Sequence, residues 1–281
     1  MKPERSGMSF IGGIAALLCA GGCFAQPSSQ SGIAHVAFRV ADLEASRAFY
    51  NRLGFEQFYE AKQGDRTTQA FLKVNDHQFI ELYPRTEASQ PLGLMHVCYE
   101  ASNIDTLHAE LVQRGVAISD VRKAGAGNLL MTMKDPEDQT IEYTQYMPGS
   151  RHFEDRGKHL GAERVARVMV AATSPARDSG ALRSFYIDKL GFTGTDQGVS
   201  TRLRMPGDSG HELDLPAAGP GVKSGVQFGV PDLNRAGETL TRLGLTVSAT
   251  PRGNPTLLIV ADPDGLVVSF VKVALPAAAR E

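Results

Sequence analysis

Ile33-Ala34-His35-Val36-Ala37-Phe38-Arg39-Val40 is a run of apolar and β-branched residues broken only by His35 and Arg39, and it reads as a strand. Asp42 then stands as a helix N-cap; Leu43, Ser46, Phe49, Tyr50 and Leu53 follow in a helical pattern, and Gly54 ends the helix. Three short strands are expected next, Phe55–Tyr59, Thr68–Val74 and Gln78–Tyr83, with Asn75-Asp76 turning the last hairpin. The unit is therefore strand–helix–strand–strand–strand, or βαβββ. A second copy opens with Leu94–Tyr99. Its helix is capped near Ser102-Asn103 and ended by Gly115, and its last strand, Thr140–Tyr146, follows the turn Asp135-Pro136-Glu137-Asp138. The landmarks keep one spacing of 61 residues: Gly54 to Gly115, His35 to His96, Glu81 to Glu142. A single slipped residue would turn strand side chains to the opposite face, so a gapless offset marks structurally equivalent positions.

Two further copies follow. Phe185-Tyr186-Ile187-Asp188-Lys189-Leu190-Gly191-Phe192 echoes Phe49-Tyr50-Asn51-Arg52-Leu53-Gly54-Phe55. Asp232-Leu233, Leu243-Gly244-Leu245 and Asp262-Pro263-Asp264-Gly265 echo the second copy. The expected fold is α+β, with four βαβββ modules in two halves and paired modules forming cup-shaped sheets around a cavity. The division reads as 33–146 for a metal-binding half, 147–164 for a solvated connector and 165–273 for a second half lacking metal ligands.

At 281 residues and 42% hydrophobic content, the chain can bury one large or two ordinary cores. A formal charge of −2 gives no electrostatic case for nucleic acid, and no apolar run is long enough for an integral membrane span. Lys2 and Arg5 precede an apolar stretch and then Cys23-Phe24-Ala25, so residues 1–25 read as a secretory signal peptide. Export to the periplasm or the exterior is the expectation. Lipid anchoring at Cys23 is disfavoured, because Ala20 stands where a lipoprotein box usually has Leu.

His is scarce, 7 in 281 residues, so a matched His pair with a matched Glu pair carries weight. Two imidazoles and two carboxylates form a borderline N/O set suited to one divalent ion per chain: Fe, Ni, Zn, Mn or Co. Glu81 lies within Phe79-Ile80-Glu81-Leu82-Tyr83, where both faces carry apolar side chains, and a buried lone carboxylate is costly. The helix end Phe49-Tyr50-x-x-Leu53-Gly54-Phe55, the four modules and this His/Glu/His/Glu set resemble the vicinal oxygen chelate superfamily, the glyoxalase I/bleomycin-resistance/extradiol dioxygenase group. The resemblance implies a cup around one divalent ion and a small-molecule substrate that chelates it through adjacent oxygens. It assigns His35, Glu81, His96 and Glu142 as metal ligands, with Glu142 or Glu81 as catalytic base. Extradiol dioxygenases use two His and one Glu and do not ligate through the Glu81 position. The extra carboxylate therefore tilts the expectation toward a glyoxalase-like lyase or isomerase. An Fe(II) ring-cleaving dioxygenase is the first rival, and a non-catalytic resistance-type binding protein the second.

Residues two away from each ligand share its face. This puts Arg39, Phe79, Tyr83, Cys98 and Thr144 on the cavity lining as substrate-binding candidates, with Arg39 suited to a carboxylate and Cys98 to a small buried filler. In the second half, Arg167, Leu213, Gly225 and Ser269 are expected at or beside the ligand positions. That half reads as scaffold, lid or homodimer surface.

Overall fold

The computed structural model describes residues 29–196, 200–250 and 256–274. The expected signal peptide lies outside the described residues. The first module runs β1 (Gln30–Val40), α1 (Leu43–Arg52), β2 (Gln57–Gln63), β3 (Arg66–Lys73), β4 (Phe79–Pro84). The second runs β5 (Gly93–Ala101), α2 (Ile104–Gln113), β6 (Arg122–Lys123), β7 (Leu129–Lys134), β8 (Thr140–Gln145). A helical turn, α3 (Arg151–Glu154), follows. The third module is β9 (Val168–Thr173), α4 (Ser179–Ser184) with a π-turn over Phe185–Lys189, β10 (Thr193–Asp196), β11 (Ser200–Arg204) and β12 (Glu212–Pro216). The fourth is β13 (Gly225–Val230), α5 (Leu233–Arg242), β14 (Ser248–Thr250), β15 (Leu257–Ala261) and β16 (Val267–Lys272).

Local chemistry sets the helix limits. The Asp42 carboxylate accepts from the Glu44 and Ala45 N–H groups at 2.9 and 3.0 Å, and Asn103 caps α2 through the Thr106 N–H at 3.0 Å. Gly54 and Gly115 sit at φ +87° and +71°, a left-handed C-terminal conformation that other residues adopt only with strain.

Each half forms one eight-stranded curled sheet, and both share one plan: β2-β3-β4-β1-β5-β8-β7-β6 and β10-β11-β12-β9-β13-β16-β15-β14. The first strands of paired modules, β1 with β5 and β9 with β13, meet antiparallel at the centre. Each is flanked by the last strand of its own module, in parallel. One face of each sheet is packed under the helices. Val36, Ile80, Val97 and Ile141 lie on that face in the first half, and Leu213, Val226 and Val268 in the second. The two halves are stitched together by Phe55 against Phe228 (ring centroids 4.9 Å) and by Gln78, which donates to Ile33 O and Met169 O at 3.0 and 2.9 Å. Among the described residues, no helix is long and apolar enough to cross a membrane.

The connector is solvated only in part, with exposed residues such as Arg156 and Lys158 beside buried ones. His152 and Asp155 are buried, and the Lys73 ammonium, itself only 3% exposed, pairs with Asp155 at 2.9 Å and Asp76 at 2.8 Å. Removing one partner of such a pair strands a buried charge. Lys73→Ala is therefore expected to cost about 3 kcal/mol of unfolding free energy, read from urea denaturation. A loss below about 1 kcal/mol would show that stacking, not this pair, holds the connector down.

Candidate metal centre

The four expected ligands converge because of strand register. Across the central pair, His35 faces Cys98 and Ala37 faces His96. In the flanking parallel pairs, Ala37 faces Glu81 and Cys98 faces Glu142. Two adjacent rungs thus read Glu81–Ala37–His96 and His35–Cys98–Glu142, all on the face away from the helices. The small residues Ala37 and Cys98 leave space at the centre, and the imidazoles and carboxylates lean into it from opposite sides.

The geometry is tight. His35 Nε2 lies 3.1 Å from His96 Nε2, 3.5 Å from Glu81 Oε1 and 3.7 Å from Glu142 Oε2. His96 Nε2 lies 3.4 Å from Glu81 Oε2 and 3.5 Å from Glu142 Oε2. A cation about 2.1 Å from each donor separates neighbouring donors by about 3.0 to 3.4 Å. The donor spacing fits such an ion. The charge pattern fits as well, since two carboxylates converge with the two imidazoles in one buried cup, where a divalent cation would compensate them. Burial pushes the Glu81 carboxyl up, but His35, His96 and the Tyr83 hydroxyl outweigh it and hold it at about 2. Burial likewise raises Glu142, and the two imidazoles bring it below the ordinary range. Burial lowers His96, while Glu81 and Glu142 raise it further than burial lowers it.

The lining candidates divide. The Tyr83 hydroxyl donates to Glu81 Oε2 at 2.8 Å and accepts from Gln69 at 2.5 Å, so it fixes one carboxylate. The Phe79 ring stacks on His35 at 4.5 Å. Cys98 is fully buried beneath the ligands, and burial together with Glu142 and Glu81 pushes its thiol up, leaving a neutral floor. Thr144 is on the same face, but its hydroxyl is taken up by Leu129 O at 3.0 Å. Arg39 is half-buried and donates to Pro91 O at 3.1 Å.

Sequence reasoning undervalued His152. On α3 its ring packs 4.5 Å from Phe79, the ring that also stacks on His35, and 5.4 Å from Tyr146. Asn128 Oδ1 takes the Met147 N–H at 3.3 Å, leaving its Nδ2 to donate to His152 Nδ1 at 2.8 Å. The imidazole proton is thereby assigned to Nε2, which is buried without a partner among the described residues. Burial and the nearby His35 hold this ring near 4, hence neutral. The signal available in the sequence was the aromatic set Phe58, Phe71 and Phe79, an apolar cup edge that needs a cover.

The second cup differs from expectation in two places. β9 presents Ala171, not Arg167, opposite Gln227, and β12 presents Asp214, not Leu213, opposite Thr173. Leu213 points into the core. Gly225 and Ser269 stand at the remaining two positions, as expected. A Cβ at Gly225 would lie 2.1 Å from Val267 O, so no imidazole fits there without moving backbone. This cup pairs its polar groups internally, Arg202 with Glu212 at 3.1 Å and Gln227 with Ser269 at 3.3 Å.

The family model of the Glyoxalase/Bleomycin resistance protein/Dioxygenase superfamily matches residues 32–143. No curated protein matches the chain by sequence. Among solved structures, the chain is similar to the Mn(II)-bound glyoxalase from Novosphingobium aromaticivorans, with TM-score 0.66, 19% identity, and 87% of this chain and 83% of that one covered. It is also similar to the 2,3-dioxygenase LapB from Pseudomonas sp. KL28, with TM-score 0.68, 14% identity, and coverage of 91% and 97%. An extradiol ring-cleaving dioxygenase from B. fuscum gives TM-score 0.64, 18% identity, and coverage of 90% and 74%. Residues 32–143 thus match the model of the Glyoxalase/Bleomycin resistance protein/Dioxygenase superfamily, and the fold of the chain is the one these glyoxalase and dioxygenase structures share.

Proposed function

We propose that the protein is an exported, divalent-metal-dependent enzyme of the glyoxalase type, a lyase or isomerase that moves a proton on a small substrate chelating through adjacent oxygens. One observation carries the reading: Glu81 approaches the two imidazoles as closely as Glu142 does, 3.4–3.5 Å against 3.5–3.7 Å. The basic and apolar character of residues 1–25 supports export.

His35, His96, Glu81 and Glu142 would hold a divalent ion, which would supply a Lewis acid for the chelating oxygens and so acidify the adjacent C–H. His35 and His96 present Nε2 to the centre, each from the first strand of its module. Glu81 is the anchored carboxylate, fixed at Oε2 by the Tyr83 hydroxyl. Glu142 is twice as exposed, 16% against 8% for the side chains, and among the described residues no hydroxyl holds its carboxylate. It is the better placed to take the substrate proton on a carboxylate oxygen. Phe79 and Cys98 close the floor and one wall, excluding water from the proton's path.

The ligand assignment has a pH signature. Ligands must be deprotonated to bind, and His96 holds its proton to higher pH than an ordinary imidazole. Affinity for Mn(II) or Ni(II) is expected to fall as pH drops from about 8 to about 6, with protons released on binding. Calorimetry in buffers of different ionisation enthalpy measures both, and a flat profile would remove His96 from the ligand set.

The second reading, an extradiol-type dioxygenase using Fe(II) on His35, His96 and Glu142, draws support from the likeness in fold to LapB. Elemental analysis of protein purified without added metal tests the choice. Manganese, nickel or zinc with no oxygen uptake supports proton transfer, whereas iron with oxygen consumed in the presence of catechols supports ring cleavage. The non-catalytic binding reading is excluded by any turnover.

A further inference from the structure

On the second half, a groove of about 930 Å³ lies between one face of α5 and the segment that leads into β9. Five cationic side chains line it: Arg164 and Arg167 from that segment, Arg235 and Arg242 from α5, and Lys272 at the end of β16. Arg235, Thr239 and Arg242 are spaced i, i+4, i+7 and so share one helix face, with the two arginines about 10 Å apart along it. Three carboxylates share the groove. Asp232 is engaged at the helix N-terminus, where it accepts the Arg235 N–H at 3.1 Å, and Glu163 and Glu238 are exposed. Among the described residues, none of Arg164, Arg235, Arg242 and Lys272 is ion-paired with an acidic side chain; the Arg242 guanidinium donates to the Thr239 hydroxyl at 3.4 Å.

The walls are held in place by the fold. Val165 donates its N–H to Leu53 O at 3.0 Å, and Gly54 packs so closely that a Cβ there would lie 2.6 Å from the Arg164 Cα. Opposite, α5 is seated by the buried Leu233, Ala236 and Leu240. Arg164 is half-buried: its Nε has no hydrogen-bond partner among the described residues, and a terminal nitrogen donates to Val74 O at 3.4 Å. Burial and then the Arg167 guanidinium push the Arg164 pKa down, and Asp76 and Glu56 do not offset them. Like charges crowded against a fixed wall repel one another, and an anion between them relieves that repulsion.

We propose that this groove binds a small polyanion of linked phosphate groups, with Arg164 on one wall and Arg235 and Arg242 on the other. A line of charge about 10 Å long exceeds the reach of a single phosphate or carboxylate. Each phosphate group presents three acceptor oxygens and can take N–H donors from both walls at once, whereas a carboxylate presents two in one plane. The volume lies within the range of small-molecule sites and has room for several such groups. The groove shares no residue with the metal centre, so the proposal is independent of which reaction that centre performs.

The test titrates sodium tripolyphosphate into the protein by calorimetry at low salt, once as purified and once after chelation of metal and dialysis. One-to-one binding that weakens as salt is added is expected in both preparations. Citrate, a polyanion of carboxylates, should bind at least roughly tenfold more weakly. Arg235→Glu and Arg242→Glu, both at exposed positions, should each weaken tripolyphosphate by roughly tenfold or more while thermal unfolding and metal content stay unchanged. Arg164→Ala should weaken it to a similar degree, with Arg164→Lys restoring part; should Arg164→Ala fail to fold, the two α5 variants decide. Absence of binding at about 1 mM, citrate binding as tightly, or undiminished binding in the α5 variants would overturn the proposal. Binding that disappears with the metal would overturn it too, since the phosphate would then sit at the metal centre and not in the groove.

Discussion

Substitution of His35 or His96 by Ala is expected to take metal content from one ion per chain to near zero and to abolish turnover, with the fold retained. The imidazoles occupy opposite corners of a two-rung cluster, and each contributes its Nε2 to every close separation measured on its side of the centre. Removing either leaves one imidazole between two carboxylates, a set with too few nitrogen donors to hold a borderline ion tightly. The fold does not depend on them. Both side chains face the cup, while the apolar core lies on the other face of the same strands, from Val36 to Val97. The loss in packing is largely the stack of His35 on Phe79. Metal stoichiometry by elemental analysis and thermal unfolding of the metal-free proteins check both halves of the expectation. Full occupancy in either variant would show that the centre is built differently. So would a second tight ion per chain, because the other cup offers Ala171, Asp214, Gly225 and Ser269 at the corresponding positions.

The first half was legible because duplication kept its register. With His35/His96 and Glu81/Glu142 at one spacing, strand alternation alone put the four on one face, and the antiparallel β1–β5 seam then brought the copies together. The second half was legible in architecture but not in register. Asp178 caps α4 as Asp42 caps α1, a relation that leads back along β9 to Ala171. The hairpins from β10 to β12 are shorter than those from β2 to β4, however, and a strand placed one residue off exchanges Asp214 in the cup for Leu213 in the core. The connector was read as solvated because polarity in sequence does not reveal burial by ion pairing. Asp155 is distant in the chain from Lys73 and Asp76 and pairs with Lys73 only after folding. Strand limits shifted for a similar reason: β2 extends to Gln63, since its pairing with β3 outruns its apolar residues.

Glu81→Gln is expected to separate the two enzymatic readings, with a loss of turnover of roughly 100-fold or more if proton transfer is correct. The amide keeps the shape of the side chain and an oxygen that can accept the Tyr83 hydroxyl, so the wall of the cup survives. What it loses is charge. Burial drives the Glu81 carboxyl up, yet His35, His96 and Tyr83 hold it at about 2, which means all three are arranged around an anion. Removing that anion withdraws the largest influence raising His96 and takes one of the two negative charges from the centre. Metal affinity and Lewis acidity then change together, and the proton-transfer step loses its anchored carboxylate. In a dioxygenase held by His35, His96 and Glu142 alone, Glu81 would only flank the centre, and an amide there could still hydrogen-bond to a neighbour. Measured side by side with metal content, near-normal turnover with oxygen consumed would transfer the assignment to ring cleavage. Loss of both metal and turnover would leave Glu81 as the fourth ligand, the feature on which the proton-transfer reading depends.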